Sequence, residues 1–135
     1  MDNADREKAL LNELSNKVIG GALRVHTELG TGLLESAYHR CLDFELVDMG
    51  LSVERQVPVP LVYRGRSLEC GYRIDLLIDK QLIVEVKAVE KLHPVHRAQV
   101  LSHLRLSKLK LGLLINFHEH SLKHGIKRVV NGFPE

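Results

Sequence analysis

The sequence predicts one α/β domain, and three observations favour it. Apolar side chains recur every three or four residues from about Asp5 to Leu29, which is typical of a long amphipathic helix. Two apolar runs within residues 71–89 flank a short polar break, which is typical of a β-hairpin. A helical pattern and another apolar run follow, so the predicted order is α-α-β-β-β-α-β, with a short additional strand near residues 126–130. We therefore expect a single domain over residues 1–135, with a polar, frayed terminus at residues 1–8.

Three helices are predicted. The first ends at Gly30-Thr31-Gly32, where two glycines break the apolar pattern. Its apolar stripe consists of Leu11, Leu14, Val18, Ala22, Val25 and Leu29. The second helix starts after this break and ends near Gly50, which fits a C-terminal cap. The third starts at Pro94, a residue that suits a first helical turn, and runs to about Leu106.

The strands are predicted from alternation and from short apolar runs. Residues 51–63 alternate, but Pro58 and Pro60 cannot donate backbone hydrogen bonds, so part of this strand should be an edge or should bend. The second and third strands are expected at residues 67–78 and 82–89. The apolar run at residues 111–117 predicts a buried strand after the third helix.

Asp75, Glu85 and Lys87 lie inside the apolar runs of the hairpin, where a charge is costly to bury unless it is paired or binds a metal. Residues directly opposite in an antiparallel pair have side chains on the same face. Asp75 and Glu85 share a face only if the connection has an odd number of residues, such as Asp79-Lys80-Gln81. A two-residue turn at Asp79-Lys80 would place the two carboxylates on opposite faces.

Two carboxylates and one ammonium on one wall suit a hard divalent cation and a phosphate ester. The alternative is that Glu85 and Lys87 merely form the solvated face of a strand. Apolar residues on both faces of the hairpin argue against this alternative, because they predict a hairpin that is covered on both sides.

Other candidate residues lie on the second and third helices. Glu35 stands in the first turn after the glycine break, where a helix favours negative charge, and Tyr38 follows one turn later. Each has a structural alternative: Glu35 as a favourable first-turn charge, and Tyr38 as a cap on the core. His96, Gln99 and His103 form one polar stripe. That stripe is either a solvent face or, if it meets the charged wall, a place where Gln99 contacts phosphate or water.

Composition narrows the function classes. The net charge of +2 is too small to establish a nucleic-acid partner by itself. The eight histidines do not combine with each other or with Cys41 and Cys70 at zinc-finger spacing. No apolar run approaches the roughly 20 residues of a membrane span. Without a secretory signal in this sequence, the cytoplasm is the expected location.

Several motifs together resemble a known family. Residues 32–38 match the Gly-x-x-Glu-x-x-Tyr pattern of the GxxExxY proteins, and Asp75 with Glu85-Val86-Lys87 is similar to the signature of the PD-(D/E)xK nucleases. Gln99 matches the glutamine of the RecB-like branch of that superfamily, and residues 111–117 resemble its following strand. The resemblance covers about residues 18–132. The sequence departs from the pattern at Ile74, in place of proline, and at His103, where tyrosine is frequent.

The resemblance implies a restriction-endonuclease-like core, in which helices flank a mixed β-sheet. It further implies that Asp75, Glu85 and the Val86 backbone carbonyl hold Mg²⁺, which Mn²⁺ could replace. Glu35 would hold a metal-bound water or a second ion. Lys87 would stand beside the developing negative charge. Gln99 would position phosphate or water, with Tyr38, His96 and His103 as substrate-positioning residues.

The predicted function is therefore hydrolysis of nucleic-acid phosphodiesters, with DNA the favoured substrate and no membrane partner. One alternative is a nucleic-acid-binding or adaptor domain that keeps the fold with little catalysis. Another is a hydrolase of a small phosphorylated molecule, for which a closed pocket is expected instead of an open cleft with basic rims. A homodimer that grips a duplex with two copies is compatible with the sequence, which shows no coiled-coil seam.

Overall fold

The computed structural model describes residues 2–133, which form three helices and seven strands. The helices are α1 (Asn3–Leu29), α2 (Glu35–Asp48) and α3 (Pro94–Ser107). The strands are β1 (Val53–Pro58), β2 (Leu61–Tyr63), β3 (Arg66–Leu68), β4 (Arg73–Ile78), β5 (Leu82–Lys87), β6 (Leu111–Asn116) and β7 (Ile126–Val130). A short 3-10 helix at Leu122–Gly125 precedes β7.

The helices follow the sequence prediction except at the first residues. The Asp2 carboxylate accepts a hydrogen bond from the Asp5 N–H and caps α1, which begins at Asn3, before the predicted start near Asp5. The frayed terminus expected over residues 1–8 stays a prediction, and Met1 lies outside the described residues. The predicted cap at Gly50 is confirmed. Its φ of +87° lets the Gly50 N–H bond the Val47 carbonyl at 2.9 Å and the following N–H bond the Leu46 carbonyl at 3.1 Å.

The predicted strands at residues 51–63 and 67–78 are each divided in two, and this is the main correction to the expected element order. Pro58 ends β1 and Pro60 precedes β2, because neither proline can donate to a ladder. Beyond β3 the chain passes Gly71, which has a φ of +78°, before β4 begins. β2 and β3 pair only with each other, as a separate two-stranded sheet.

The main sheet is mixed and is covered on both faces. Its strand order is β1-β4-β5-β6-β7, with β5 and β6 parallel and the other neighbours antiparallel. One core cluster joins α1 and α2 to residues such as Leu76, Val84 and Leu113, and a second joins α3 to Ile83 and Leu114. The α/β class with a mixed sheet flanked by helices is thus confirmed. Within residues 2–133, no helix combines the length and the apolar character needed to cross a membrane.

The β4–β5 hairpin has the register that the candidate site requires. Leu76 pairs with Val84, Leu77 with Ile83 and Ile78 with Leu82, so the connection is Asp79-Lys80-Gln81. The predicted odd-numbered connection is therefore confirmed. Continued by one residue, the same register brings Asp75 opposite Glu85, where the side-chain hydrogen bonds described below replace the backbone ladder.

Helix α3 packs its Val100 side chain over Gly112 of β6. Gly112 is buried, and a Cβ atom at that position would stand 2.8 Å from Val100 Cγ1 of α3. Such a distance is shorter than two carbon atoms tolerate. The absence of a side chain at Gly112 therefore sets how closely α3 approaches the strands.

Tyr38 holds the glycine break that precedes α2. Its ring is fully buried and stacks on Phe117, with ring centroids 4.7 Å apart. Its hydroxyl donates to the Gly30 carbonyl at 2.6 Å and accepts from the Leu33 N–H at 3.2 Å. The imidazole of His118 contacts the Leu33 carbonyl at 2.9 Å, so the segment that leads into Glu35 is fixed from two sides.

We expect Tyr38→Phe to lower the free energy of unfolding by about 1 to 2 kcal/mol, because two backbone groups lose their partner while the ring stack remains. Urea denaturation measures the effect. Tyr63→Phe is the matched control, since the Tyr63 side chain is largely exposed and its hydroxyl has no hydrogen-bond partner within residues 2–133. Equal stability of the two variants would contradict the role given to Tyr38.

Candidate active site

Asp75 and Glu85 meet across the open end of the β4–β5 hairpin. The Val86 N–H donates to Asp75 Oδ2 at 2.9 Å, and the Asp75 N–H lies 3.4 Å from Glu85 Oε1. Each carboxylate is thus bound by the backbone of the opposite strand. Glu85 is only 6% exposed and Asp75 is half-buried. The structure therefore brings Asp75 and Glu85 together beside Val86, whose N–H makes the observed contact. Metal binding by these residues, including the Val86 carbonyl, stays a prediction.

His103 of α3 reaches the other side of Glu85. Its Nδ1 stands 3.3 Å from Glu85 Oε1, and both side chains are buried. A carboxylate oxygen only accepts, so Nδ1 carries the hydrogen in this contact. The polar stripe of α3 consequently faces the charged wall at this point, and His103 fixes Glu85 from the helix. Its predicted contact with substrate stays a prediction.

Lys87 ends β5 and is held through its backbone. The Lys87 carbonyl accepts from the Phe117 N–H at 2.9 Å. The neighbouring Asn116 is fully buried, and its side-chain amide bonds both the N–H and the carbonyl of Val89, at 3.0 and 2.9 Å. These bonds fix the chain on both sides of residue 88, while the Lys87 side chain is only half-buried. Its ammonium thus stands on a rigid strand end.

A cleft of about 700 Å³ opens beside Asp75 on the α2 side. It is lined by Glu35, Ser36, His39, Arg40, Arg55, Gln56 and Asp75. Most of these residues are exposed, so this cleft is open to solvent. Glu35 and Asp75 therefore share one cavity, while the guanidinium groups of Arg40 and Arg55 bring positive charge to it. Arg55 is also paired with Asp43 at 3.2 Å.

Gln99 lies in a second, smaller cleft between α3 and the β2 region. This cavity of about 370 Å³ is lined by Leu61, Tyr72, Val95, Ala98, Gln99, Ser102, His103 and Leu106. Glu85 connects the two clefts, because it contacts Asp75 of the first and His103 of the second. The structure does not place Gln99 in the cleft with Glu35 and Asp75. Its predicted role with phosphate or water would be exercised from the opposite side of Glu85.

His96 is committed to the start of α3. Its Nδ1 accepts a hydrogen bond from the His93 N–H at 3.1 Å, which requires an unprotonated nitrogen. Burial and the nearby charges of Lys87 and His93 lower the pKa of His96, although Glu35 acts in the opposite direction. Lys87 and Glu35 are therefore both within electrostatic reach of this imidazole. Substrate positioning by His96 stays a prediction.

Tyr38 is placed differently from a ligand-contacting residue. It is fully buried, and its hydroxyl is occupied by Gly30 and Leu33. These contacts favour the structural alternative considered for this residue. Tyr38 positions Glu35 through the preceding segment.

Sequence reasoning missed His39, which contacts the strand that carries Asp75. The His39 Nε2 lies 3.2 Å from the Asp75 carbonyl oxygen and joins α2 to β4. Its signal was available, because His39 follows Glu35 by four residues and hence shares its helix face. Arg55 and Gln56 were harder to find. They reach the cleft because β1 pairs with β4, a long-range pairing that the sequence did not reveal.

The donor atoms of the site suit a hard divalent cation. Burial, and then the negative charge of Glu85, raise the pKa of Asp75 to about 6. Two carboxylates in one half-buried space repel each other, and a divalent cation between them would relieve that repulsion. Among residues 2–133, however, no three His, Cys, Asp or Glu side chains form a metal-binding group. Asp75 and Glu85 thus fit the ion as a pair of ligands, with Glu35 at a greater distance.

Comparison with known proteins adds one finding. A sequence model of the PD-(D/E)XK nuclease superfamily matches residues 12–129 of the chain. No curated protein and no solved structure matches it. The matched range includes every residue of the two clefts.

The raised pKa of Asp75 predicts a pH-dependent stability. The folded protein keeps this proton up to about pH 6, whereas an unfolded chain loses it near pH 4, so the contribution of Asp75 to stability falls as the pH rises between these values. The free energy of unfolding of Asp75→Asn, relative to that of the wild type, should therefore increase by about 1 to 3 kcal/mol when the pH rises from about 4.5 to about 7.5 in the absence of divalent ions.

Urea denaturation of both proteins at the two pH values measures this difference. Asparagine keeps an acceptor for the Val86 N–H, so the exchange removes the charge and not the hydrogen bond. Asp48→Asn, the same exchange at an exposed position of α2, is the control for the exchange itself. A constant difference for Asp75→Asn would refute the prediction.

Proposed function

The chain belongs to the PD-(D/E)XK nuclease superfamily, and from this membership we propose that it hydrolyses phosphodiester bonds of nucleic acid, DNA in the first place. The single observation that carries the proposal is the meeting of Asp75 and Glu85, in which Asp75 Oδ2 accepts from the Val86 N–H and Glu85 Oε1 accepts from the Asp75 N–H. A half-buried pair of carboxylates destabilises a metal-free protein, and its benefit is the capacity to bind a cation.

We propose that Asp75 and Glu85 hold the divalent cation, Mg²⁺ or Mn²⁺, together with the Val86 carbonyl. When bound, such an ion supplies electrophilic activation of the phosphate and a more acidic water. His103 keeps Glu85 in place through its Nδ1 contact, and the Val86 N–H keeps Asp75 in place. Both carboxylates are thereby oriented before substrate arrives, which saves the cost of ordering them during the reaction.

Lys87 is proposed to stabilise the negative charge that develops on the phosphate. Lys87 ends the strand that carries Glu85, its backbone is fixed by Phe117 and Asn116, and its side chain is only half-buried. Glu35, in the cleft with Asp75, is proposed to orient a water or a further ion. Gln99 would contact phosphate from the second cleft. These roles rest on the placement of the residues and on the resemblance of their motifs.

The shape of the first cleft favours a polymer over a small molecule. Its lining is mostly exposed, and Arg40 and Arg55 stand at its surface. An open, basic-rimmed cleft can accept a phosphodiester backbone that continues on both sides, whereas a small phosphorylated substrate is usually enclosed. We further propose membership of the GxxExxY group, supported by Gly32, Glu35 and Tyr38. The RecB-like branch, a cytoplasmic location and a homodimer stay predictions.

A second candidate function is nucleic-acid binding with little or no hydrolysis. It is favoured because, in the part of the chain that the structure describes, no third His, Cys, Asp or Glu side chain joins Asp75 and Glu85 in a group that could hold a metal ion. The presence of Lys87 on β5, two residues after Glu85, favours the enzyme, because binding alone does not require a lysine at this point of the signature.

We expect the purified protein to cleave labelled nucleic acid in Mg²⁺ or Mn²⁺, and Asp75→Ala or Lys87→Ala to lower the rate by about 100-fold or more. The substrates are single-stranded, duplex and branched DNA, and RNA. Lys127→Ala is the matched control, because Lys127 is an exposed lysine on β7 without an ion pair among residues 2–133. Cleavage that persists in both site variants would show that another site or a contaminant is responsible.

Cation binding should be measurable without substrate. We expect calorimetry to detect Mn²⁺ binding by the wild type and its loss in Asp75→Asn and Glu85→Gln, since each exchange removes a charged ligand. Glu35→Gln should retain most of the affinity, because Glu35 is not grouped with the two carboxylates. The absence of both Mn²⁺ binding and cleavage in the wild type would favour the binding-domain alternative.

A further inference from the structure

The β2–β3 hairpin, residues 61–68, forms an arm that is separate from the main sheet. Its two strands pair only with each other, Leu61 with Leu68, Val62 with Ser67 and Tyr63 with Arg66. The connection is Arg64-Gly65, with φ of +52° and +76°, as a tight two-residue hairpin turn requires. A short ribbon with this turn is a defined and rigid shape at its tip.

The arm exposes side chains that normally require a partner. Val62, Tyr63 and Leu68 are 58%, 60% and 43% exposed. Residues 61–68 contain two arginines and no acidic residue. Neither Arg64 nor Arg66 has an ion pair or a side-chain hydrogen bond with any of residues 2–133, whereas nearby Arg73 is paired with Glu69. The tip of the arm is therefore cationic and partly apolar, and within residues 2–133 no acidic side chain neutralises its two arginines.

The base of the arm lies next to the candidate active site. Leu61 and Tyr72 line the second cleft together with Gln99 and His103. The ring of Tyr72 is 6.0 Å from that of His103, and His103 contacts Glu85 at 3.3 Å. A ligand that touches the arm would thus extend toward the carboxylates. One substrate could therefore contact both the arm and the candidate active site.

We propose that this arm enters the major groove of duplex DNA and that it thereby selects the substrate class, an inference that rests on the proposed function. The major groove of B-form DNA is about 12 Å wide and admits a two-stranded ribbon, whereas the major groove of A-form RNA is too narrow and deep for side chains to read. Arg64 and Arg66 contact phosphates of the duplex backbone. Tyr63, paired with Arg66 on one face of the ribbon, contacts the groove wall.

The test measures binding by fluorescence anisotropy of a labelled DNA duplex of about two helical turns, in EDTA to prevent cleavage. The variant combines Arg64→Asn and Arg66→Gln. Asparagine tolerates the positive φ at position 64, so the charge is removed without disturbing the turn. At low salt we expect the Kd of this variant to be about tenfold or more higher than that of the wild type. The slope of log Kd against log salt concentration should be smaller by about 2, one for each lost phosphate contact.

Matched controls separate the arm from general charge effects. Lys123→Gln with Lys127→Gln removes the same charge from exposed positions near the opposite edge of the sheet and should change the Kd for duplex DNA much less. Tyr63→Thr should weaken duplex binding without changing the salt slope, because no charge is lost. On an RNA duplex and on single-stranded DNA, the arm variant should lose clearly less affinity than on duplex DNA.

Two results would overturn the inference. One is an arm variant that binds duplex DNA like the wild type, or that loses affinity equally for all three nucleic acids. The other is a change in the mass measured by sedimentation equilibrium with DNA affinity unchanged, which would show that the arm joins two copies of the chain. If duplex binding depends on the arm but no nucleic acid is cleaved, the inference about the arm stands and the nuclease proposal is refuted. If nucleic acid is cleaved but duplex binding does not depend on the arm, the nuclease proposal stands and the inference about the arm is refuted.

Discussion

The candidate site depends on the register of the β4–β5 hairpin. Side chains of a strand alternate between its faces, so a shift of one residue would move Glu85 to the opposite face from Asp75. The three-residue connection Asp79-Lys80-Gln81 prevents that shift, and the buried pairs Leu76–Val84 and Ile78–Leu82 make it costly. Both clefts, the contact with His103 and the placement of Lys87 follow from this one alignment.

The burial that fixes the register also strengthens the electrostatic repulsion between the carboxylates of Asp75 and Glu85. Both faces of the sheet are covered, α1 and α2 on one side and α3 on the other, so water is scarce around Glu85. The protein reduces the resulting cost with directed hydrogen bonds from the Val86 N–H and from His103. What remains is seen in the raised pKa of Asp75. Stability and cation affinity are therefore opposed at this point of the fold.

The parts of the structure that depend on local patterns were predictable from the sequence. Parity along the hairpin predicted the meeting of Asp75 and Glu85, and glycine and proline predicted the limits of α2 and α3. The separation of the β2–β3 arm from the main sheet was not predicted. Pro58, Pro60 and Gly71 indicate breaks, but not which fragments pair. Arg55 and Gln56 enter the site through the pairing of β1 with β4, a long-range contact whose geometry a single sequence does not encode locally.

Gly112 links a packing detail to the chemistry of the site. Because β6 has no side chain there, α3 settles against the sheet at a depth at which the His103 imidazole reaches Glu85. A methyl group at that point would push the helix outward, and a hydrogen bond of 3.3 Å has little length to spare. The orientation of the Glu85 side chain on β5 thus depends on the absence of a side chain at Gly112 on the neighbouring strand β6. A substitution at residue 112, although it contacts no candidate ligand, would therefore alter the hydrogen bond between His103 and Glu85.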